Sequence, residues 1–197
     1  MGRKPPAQPR KPRADSARNR QVLIDVAKAT FTEIGLNVSL EEIARRAGVG
    51  IGTFYRHFRS REAVVEAVYR REVEQLAAAV PQLLKKLPAG EALHQWMRLF
   101  IDYIATKRLI APSLTALAAP PATLYASSAE LIRNAIATLV KRAVDSGEVR
   151  KDIDPADLLR AMVGVSYGNP DAGWEASARR LVDLLMDGLR RQELRER

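Results

Sequence analysis

The sequence contains no cysteine and only two histidines, His57 and His94, among its 197 residues. Without cysteine the chain can form no disulfide, thiolate zinc site, iron–sulfur cluster or cysteine nucleophile. Two isolated histidines do not supply the closely spaced ligands of a metal centre either. We therefore expect neither a metal nor a cofactor, and a chain without cysteine fits a reducing compartment.

Uninterrupted apolar stretches are also lacking. The longest uncharged segment, residues 109–129, contains Pro112, Pro120 and Pro121, which prevent one continuous membrane-spanning helix. The basic residues near the N-terminus are not followed by the apolar segment of a signal peptide. The sequence therefore predicts a cytoplasmic protein without a membrane partner.

Positive charge is abundant but unevenly placed. The chain has 32 Lys and Arg against 23 Asp and Glu, a net charge of +9. Residues 1–20 carry +6 and residues 39–61 carry +3, whereas residues 62–197 carry only +1. Such a basic region favours an acidic partner, either nucleic acid or an anionic membrane. Residues 1–15, in which prolines alternate with Arg and Lys, are expected to be a disordered arm.

Apolar residues recur at helical spacing along the rest of the chain, and no segment alternates with the period of a strand. The sequence therefore predicts an all-α protein with about nine helices. Residues 16–61 are expected to form one three-helix domain, and residues 62–197 a larger helical bundle. Pro81 is expected to kink or break a long helix, and Ser127 with Glu130 forms a capping box that predicts a helix start.

The strongest local pattern predicts two short helices joined by a tight turn. Ser39 and Glu42 form a capping box at the start of the first helix, and Gly48 ends it. The second helix extends from Ile51 to His57. This arrangement is a helix-turn-helix, whose second helix lies in the DNA major groove. Its small core is expected to contain Ile43, Ala44, Val49, Phe54 and Phe58.

The residues of this motif resemble the DNA-binding domain of TetR-family regulators. The resemblance covers about residues 17–66 and lies in the runs SLEEIARRAGV (39–49), GTFYRHF (52–58) and SREAV (60–64). It implies an all-helical homodimer that binds a double-stranded DNA operator. The remaining helices would then bind a small-molecule effector and the second subunit, and the run GEVR (147–150) is also similar to the family.

Carried over by position, the resemblance implies a set of DNA-contacting residues. Ile51 and Gly52 stand where many members have polar base-reading side chains, so readout is expected from Tyr55, Arg56 and thymine-methyl contacts of Ile51. Arg45, Arg46 and Arg59 flank this helix as expected phosphate contacts. The full set of expected DNA-binding residues is Ser39, Ile51, Gly52, Thr53, Tyr55, Arg56, His57 and Arg61.

Large side chains in the C-terminal part predict a cavity, although each could equally be ordinary core. Few charges lie among them, which favours an apolar or aromatic effector. The expected cavity residues are Trp96, Met97, Phe100, Tyr103, Tyr125, Met162, Tyr167 and Trp174. Two copies of the helices over residues 155–166 and 171–190 are expected to form the dimer interface as a four-helix bundle. Its expected residues are Leu158, Leu181, Val182, Leu185 and Leu189.

The same sequence allows other functions, of which an enzyme is considered first. Gly164 to Gly168 spell the G-x-S-x-G string of a hydrolase, but both histidines precede Ser166 and no strand is predicted before it. We therefore expect no enzyme. The preferred prediction is a repressor released from a pseudo-palindromic operator by its ligand. The alternatives are a regulator or activator of the same fold without an effector, and a helical enzyme or anionic-membrane binder that uses the basic arm.

Overall fold

The computed structural model describes residues 12–115, 122–168 and 173–190. These residues form eight α-helices: α1 (Pro12–Ile34), α2 (Leu40–Arg46), α3 (Ile51–His57), α4 (Arg61–Lys86), α5 (Ala89–Thr115), α6 (Ala122–Asp145), α7 (Pro155–Tyr167) and α8 (Trp174–Leu189). Those ranges contain no strand, and one isolated antiparallel bridge pairs Val149 with Arg190. The all-α prediction is confirmed, with eight helices where about nine were expected.

Helix α4 continues through Pro81, which was expected to kink or break it. Leu76 and Val80 are buried before the proline, and Leu83 and Leu84 are half-buried after it. This apolar stripe therefore crosses the proline, and its packing offsets the backbone hydrogen bond that proline cannot donate.

Two predicted helix starts were wrong. Helix α1 begins at Pro12 rather than at Ser16, so residues 12–15 are helical and only residues 1–11 of the expected arm lie outside the described residues. Proline suits the first helical turn because its missing N–H would have no partner there. Helix α6 begins at Ala122 and includes Ser127, which was expected to cap it.

The chain forms two compact units, one up to Val68 and one from Tyr69 onward. The first unit has a small core of fully buried side chains from α1 to α3: Leu23, Phe31, Ile43, Phe54 and, just beyond α3, Phe58. In the second unit α5 packs against α6, α7 and α8. None of the helices in the described ranges is long and apolar enough to cross a membrane.

Glu148 joins the loop after α6 to the N-terminus of α5. Its carboxylate accepts hydrogen bonds from the amides of Ala89 and Gly90, both at 3.1 Å, and from the Ser146 hydroxyl at 2.7 Å. Amides in the first turn of a helix have no partner within the helix. A negatively charged carboxylate at this end also interacts favourably with the helix dipole. A Cβ atom at Gly90 would lie 2.9 Å from Glu148 Oε2, so a side chain there would displace this carboxylate.

Asp183 of α8 joins that helix to α5. Its carboxylate accepts two hydrogen bonds from Arg98, at 2.7 and 3.0 Å, and lies 2.7 Å from His94 Nε2. The Arg98 guanidinium, and secondarily His94, lower the pKa of Asp183 below its usual range. This carboxylate therefore stabilises the fold in its charged form.

Replacing Asp183 should give a stability loss that depends on pH. A lowered pKa means that the stabilisation is complete above the unfolded-state pKa, about 3.9, and disappears as pH falls through the folded-state pKa. Asp183→Asn should therefore lower the free energy of unfolding at pH 7 by about 1 kcal/mol or less, and by much less near pH 3. Urea unfolding followed by circular dichroism measures both values.

Asp187→Asn, on the same helix but with a longer ion pair to Arg190 at 3.3 Å, serves as the matched control and should cost less. An equal loss at both pH values for Asp183→Asn would contradict the assigned role of its charge.

Candidate nucleic-acid interface and apolar cavity

Helix α3 is held in place by residues on one of its faces. It has seven residues, and its N-cap, Gly50, provides no side-chain hydrogen bond. Isolated helices of this length are not stable in water. Phe54 and Phe58 are fully buried, with ring centroids 5.7 Å apart, in the same core as Ile43 of α2. Burial of these two rings fixes which side of α3 faces outward.

The opposite face of α3 contains the predicted DNA-contacting residues. The side chains of Ile51 and Tyr55 are 37% and 44% exposed. Gly52 and Arg56 are exposed beside them. The other two residues of the expected set on α3, Thr53 and His57, are half-buried. Of the six predicted α3 residues, the structure therefore leaves four exposed and two half-buried, and only Phe54 of this helix is buried.

The turn before α3 requires a glycine. Gly48 has φ +69°, in the left-handed region that other residues adopt only with strain. The Val49 amide donates back to the Ala44 carbonyl at 3.0 Å, which closes the C-terminus of α2. The expected end of the first motif helix is confirmed, with Ala47 as its C-cap.

Of the predicted capping box at the start of α2, only the Ser39 half is confirmed. The Ser39 hydroxyl accepts a hydrogen bond from the Glu42 amide at 3.1 Å. The Glu42 carboxylate, however, binds the guanidinium groups of Arg45 and Arg46, at 2.7 and 2.8 Å. These two hydrogen bonds lower the pKa of Glu42 to about 2, so the carboxylate is charged at any physiological pH.

Several arginines of this unit already have partners within the protein. Arg61 donates to the carbonyl oxygens of Leu36 and Val38, at 2.5 and 2.6 Å. Arg46 binds Glu33 of α1 at 2.5 Å in addition to Glu42. Arg61 thus joins the start of α4 to the loop between α1 and α2, and its expected phosphate contact stays a prediction.

One contact of this unit was missed from the sequence. The Arg20 guanidinium lies over the Phe58 ring, 4.9 Å from its centroid. A cation–π contact between residues 38 positions apart leaves no local pattern in the sequence. It places an exposed positive charge of α1 beside the core that supports α3.

The second unit contains a cavity of about 490 Å³ between α4, α5, α6 and α7. Its buried wall is formed by Tyr69, Phe100, Tyr103 and Ile104. The volume is typical of sites for small organic ligands. The other lining residues are Lys107, Tyr125, Ala129, Ile132, Arg133, Ala156, Leu159, Arg160, Val163 and Tyr167.

Half of the predicted cavity residues line this cavity: Phe100, Tyr103, Tyr125 and Tyr167. Trp96, Met97 and Met162 are instead fully buried core, and the Trp96 indole donates to the Leu76 carbonyl at 2.9 Å. Trp174 lies under the Arg108 guanidinium, 4.3 Å from its ring centroid, and does not line the cavity. Tyr69 was missed because it belongs to α4, before the residues that the prediction considered.

Two tyrosine hydroxyls meet in the buried wall. The hydroxyl oxygens of Tyr69 and Tyr103 are 3.4 Å apart. Burial, reinforced by the hydrogen bond with Tyr69, raises the pKa of Tyr103 far above its usual range. Burial also raises the pKa of Tyr125. The phenols of Tyr103 and Tyr125 therefore stay neutral and can donate hydrogen bonds.

The residues predicted for the dimer interface separate into two groups. Leu158, Val182 and Leu189 are buried within the subunit, and Leu185 is half-buried. Leu181 is exposed, as an interface between subunits would require. Other exposed apolar side chains of α7 and α8 are Val163, Tyr167 and Leu184, the last of which is 65% exposed. Val163 and Tyr167 also line the cavity.

The G-x-S-x-G string is not a nucleophile elbow. Ser166 lies in the last turn of α7 and is fully buried. Its hydroxyl donates to the Met162 carbonyl at 2.7 Å, a bond within the helix. The geometry therefore gives this serine a structural role, in agreement with the sequence interpretation.

Comparison with known proteins identifies the family. Residues 23–68 match the model of bacterial regulatory proteins of the tetR family. Residues 88–191 match the model described as transcriptional regulator SbtR-like, C-terminal domain. The chain belongs to the TetR family of transcriptional regulators.

Solved structures of similar proteins agree with this assignment. A TetR transcriptional regulator from Streptomyces coelicolor is 43% identical, with a TM-score of 0.80 and coverage of 88% of this chain and 99% of that one. A TetR regulatory protein from Mycobacterium vanbaalenii is 33% identical, with a TM-score of 0.76 and coverage of 91% and 99%.

A curated relative matches over a shorter region. An HTH-type transcriptional regulator from Staphylococcus aureus strain USA300 is 29% identical over 93 residues, 47% of this chain, and the chain spans about half, 49%, of that protein's length. The family and these relatives are DNA-binding transcription regulators, not enzymes, as the sequence predicted.

Arginine variants of this TetR-family regulator should separate base contacts from phosphate contacts. Arg56→Ala should weaken binding to the operator by about 1–3 kcal/mol, and much less on random duplex DNA, because its side chain is expected to reach base edges. Arg59→Ala removes the same charge from the exposed residue just after α3. It should weaken binding to both DNAs alike and reduce the salt slope by about 0.9.

Fluorescence anisotropy with labelled duplexes at several salt concentrations measures both effects, with circular dichroism to verify the fold. Equal losses on operator and random DNA for Arg56→Ala would show that Arg56 contacts phosphate only.

Proposed function

We propose that this TetR-family regulator is a cytoplasmic, homodimeric repressor that a small molecule releases from a pseudo-palindromic operator. The observation that carries this proposal is the cavity of about 490 Å³ in the second unit, lined mainly by aromatic and aliphatic side chains. A well-formed apolar cavity with a few polar groups is the usual form of a small-molecule site. The family assignment supplies the DNA-binding half of the function.

Operator recognition is assigned to the exposed face of α3. Tyr55 and Arg56 project from it, and Ile51 at its start offers an apolar contact to thymine methyl groups. Ser39, the exposed N-cap of α2, is assigned a contact with the DNA backbone at the start of that helix. A short basic face of this kind suits one half-site and needs a second copy for high specificity.

Helix α4 is the proposed route from the cavity to the DNA-binding unit. Its first residue, Arg61, binds the loop between α1 and α2, and Tyr69 of the same helix lines the cavity. A ligand that favours one position of Tyr69 therefore favours one position of α4. The ligand would stabilise an arrangement in which the two recognition helices no longer fit successive major grooves.

Dimerisation is assigned to the outer faces of α7 and α8. Leu181 and Leu184 project from α8. On α7, Val163 and Tyr167 are exposed at the open side of the cavity that they also line. We infer that these exposed apolar side chains are covered by a second subunit, because soluble proteins rarely leave a large apolar surface open to water. The opposite stripe of α8 is buried in its own subunit, so one helix serves the core and the interface together.

A charge placed in this face should separate the subunits. Leu184→Glu should give a monomer that keeps its helical circular dichroism, because the side chain is outside the core. Specific operator binding should fall by about tenfold or more, since one half-site contributes only part of the affinity. Sedimentation velocity and anisotropy measure the two effects.

Leu131→Glu, at an exposed leucine of α6, is the matched control and should stay dimeric. A dimeric Leu184→Glu protein would place the interface on other helices.

Ligand response can be tested by filling the cavity. Compounds that raise the melting temperature are added to the protein–operator complex and release of labelled operator is measured. Ala129→Phe, in the cavity wall, should abolish release while leaving operator affinity unchanged, because it occupies the ligand's space. Ala137→Phe, at an exposed position of the same helix, should respond like the wild type.

Stabilising compounds that leave operator binding unchanged in the wild type would favour a regulator of this fold without an effector.

A further inference from the structure

The charged residues of the cavity all have the same sign. Lys107, Arg133 and Arg160 line it, and no Asp or Glu is among the lining residues of the described ranges. The sequence analysis predicted few charges in the cavity because it considered only aromatic and methionine positions. These three cations lie elsewhere in the same helices. An electrostatic preference for one ligand charge follows from this arrangement.

Two of these cations have no carboxylate partner within the described part of the chain. Arg160 pairs with Asp157 on α7. Among the residues that the structure describes, Lys107 and Arg133 form no ion pair. Glu72 on α4 is a buried carboxylate of the same unit. It accepts a hydrogen bond from Thr106 at 3.1 Å and does not line the cavity.

The polarity of the cavity changes from one side to the other. The wall formed by Phe100 and Ile104 is buried, whereas Lys107 is half-buried and Arg133 is exposed. The cations therefore lie on the solvent side, where a ligand charge remains partly hydrated. A charge placed against the buried wall would lose its hydration without an ionic partner, which is costly.

We propose that the cavity selects an amphipathic organic anion, a carboxylate with an aliphatic or aromatic body. The body occupies the space against Phe100 and Tyr103, and the carboxylate lies at the open side beside Lys107 and Arg133. The proposal rests on the ligand-responsive function and specifies the chemical class of its effector. Neutral tyrosine hydroxyls in the wall add donors for a second polar atom of the ligand.

Matched ligands of equal chain length test this preference directly. Decanoate, decan-1-ol and decyltrimethylammonium are titrated into the full-length protein by calorimetry at neutral pH, without DNA. Decanoate should bind about tenfold tighter than the alcohol, and the cation should bind weakest. The advantage of decanoate should shrink as salt is added, because the contact is solvent-accessible.

Charge-removing variants then locate the contact. The double variant Lys107→Gln with Arg133→Gln should lose most of the tenfold preference, while its affinity for decan-1-ol stays unchanged. Lys141→Gln removes the same kind of charge from an exposed position of α6 outside the cavity lining, and should behave as the wild type. Both altered positions are solvent-accessible, so the fold is retained, which circular dichroism verifies.

Three results would overturn the proposal: equal or tighter binding of the alcohol or the cation, an undiminished preference in the double variant, or no saturable binding of decanoate. Operator release is measured separately. Selective decanoate binding without any effect on operator affinity would support the ligand class and contradict the ligand-responsive function. Operator release by decan-1-ol but not by decanoate would support the ligand-responsive function and contradict the proposed ligand class.

Discussion

Burial of Phe54 and Phe58 is the interaction on which the DNA-binding unit depends. A helix of seven residues does not persist in water by itself, so α3 exists because these rings are packed into the core of α1 and α2. Because successive helical residues are rotated by about 100°, fixing Phe54 inward also fixes Tyr55 and Arg56 outward. The support of the fold and the proposed recognition surface are therefore two consequences of one packing arrangement.

Helices of the second unit also contribute both to the core and to a proposed functional surface. In α8 one stripe of side chains is buried within the subunit, and Leu181 and Leu184 remain exposed on another. Helix α7 contributes Leu158 to the core and Val163 and Tyr167 to the cavity. A ligand in the cavity would therefore contact α7, one of the two helices proposed to pair the subunits. Such a contact would give the proposed effector a physical means of changing the spacing of the two DNA-binding units.

Local signals in the sequence predicted the helix-turn-helix well. The Ser39 cap, the Gly48 turn and the Phe54 position each depend on residues within a few positions, and the structure has all three. The cavity and the interface could not be predicted as well. Trp96 and Phe100 lie on one helical stripe, and only the packing of α5 against α4 and α6 decides that Trp96 fills the core while Phe100 lines the cavity.

The contacts of Arg61 with carbonyls of the α1–α2 loop likewise depend on tertiary structure, since the partners are 23 and 25 residues away.

The most direct test of recognition by two copies of α3 is selection of duplexes from a random-sequence pool by the purified protein. The account predicts enrichment of two inverted copies of one half-site, with centres separated by about 10–10.5 base pairs or a multiple of that distance. Enrichment of a single unpaired site, or of no motif, would contradict recognition by two copies of α3.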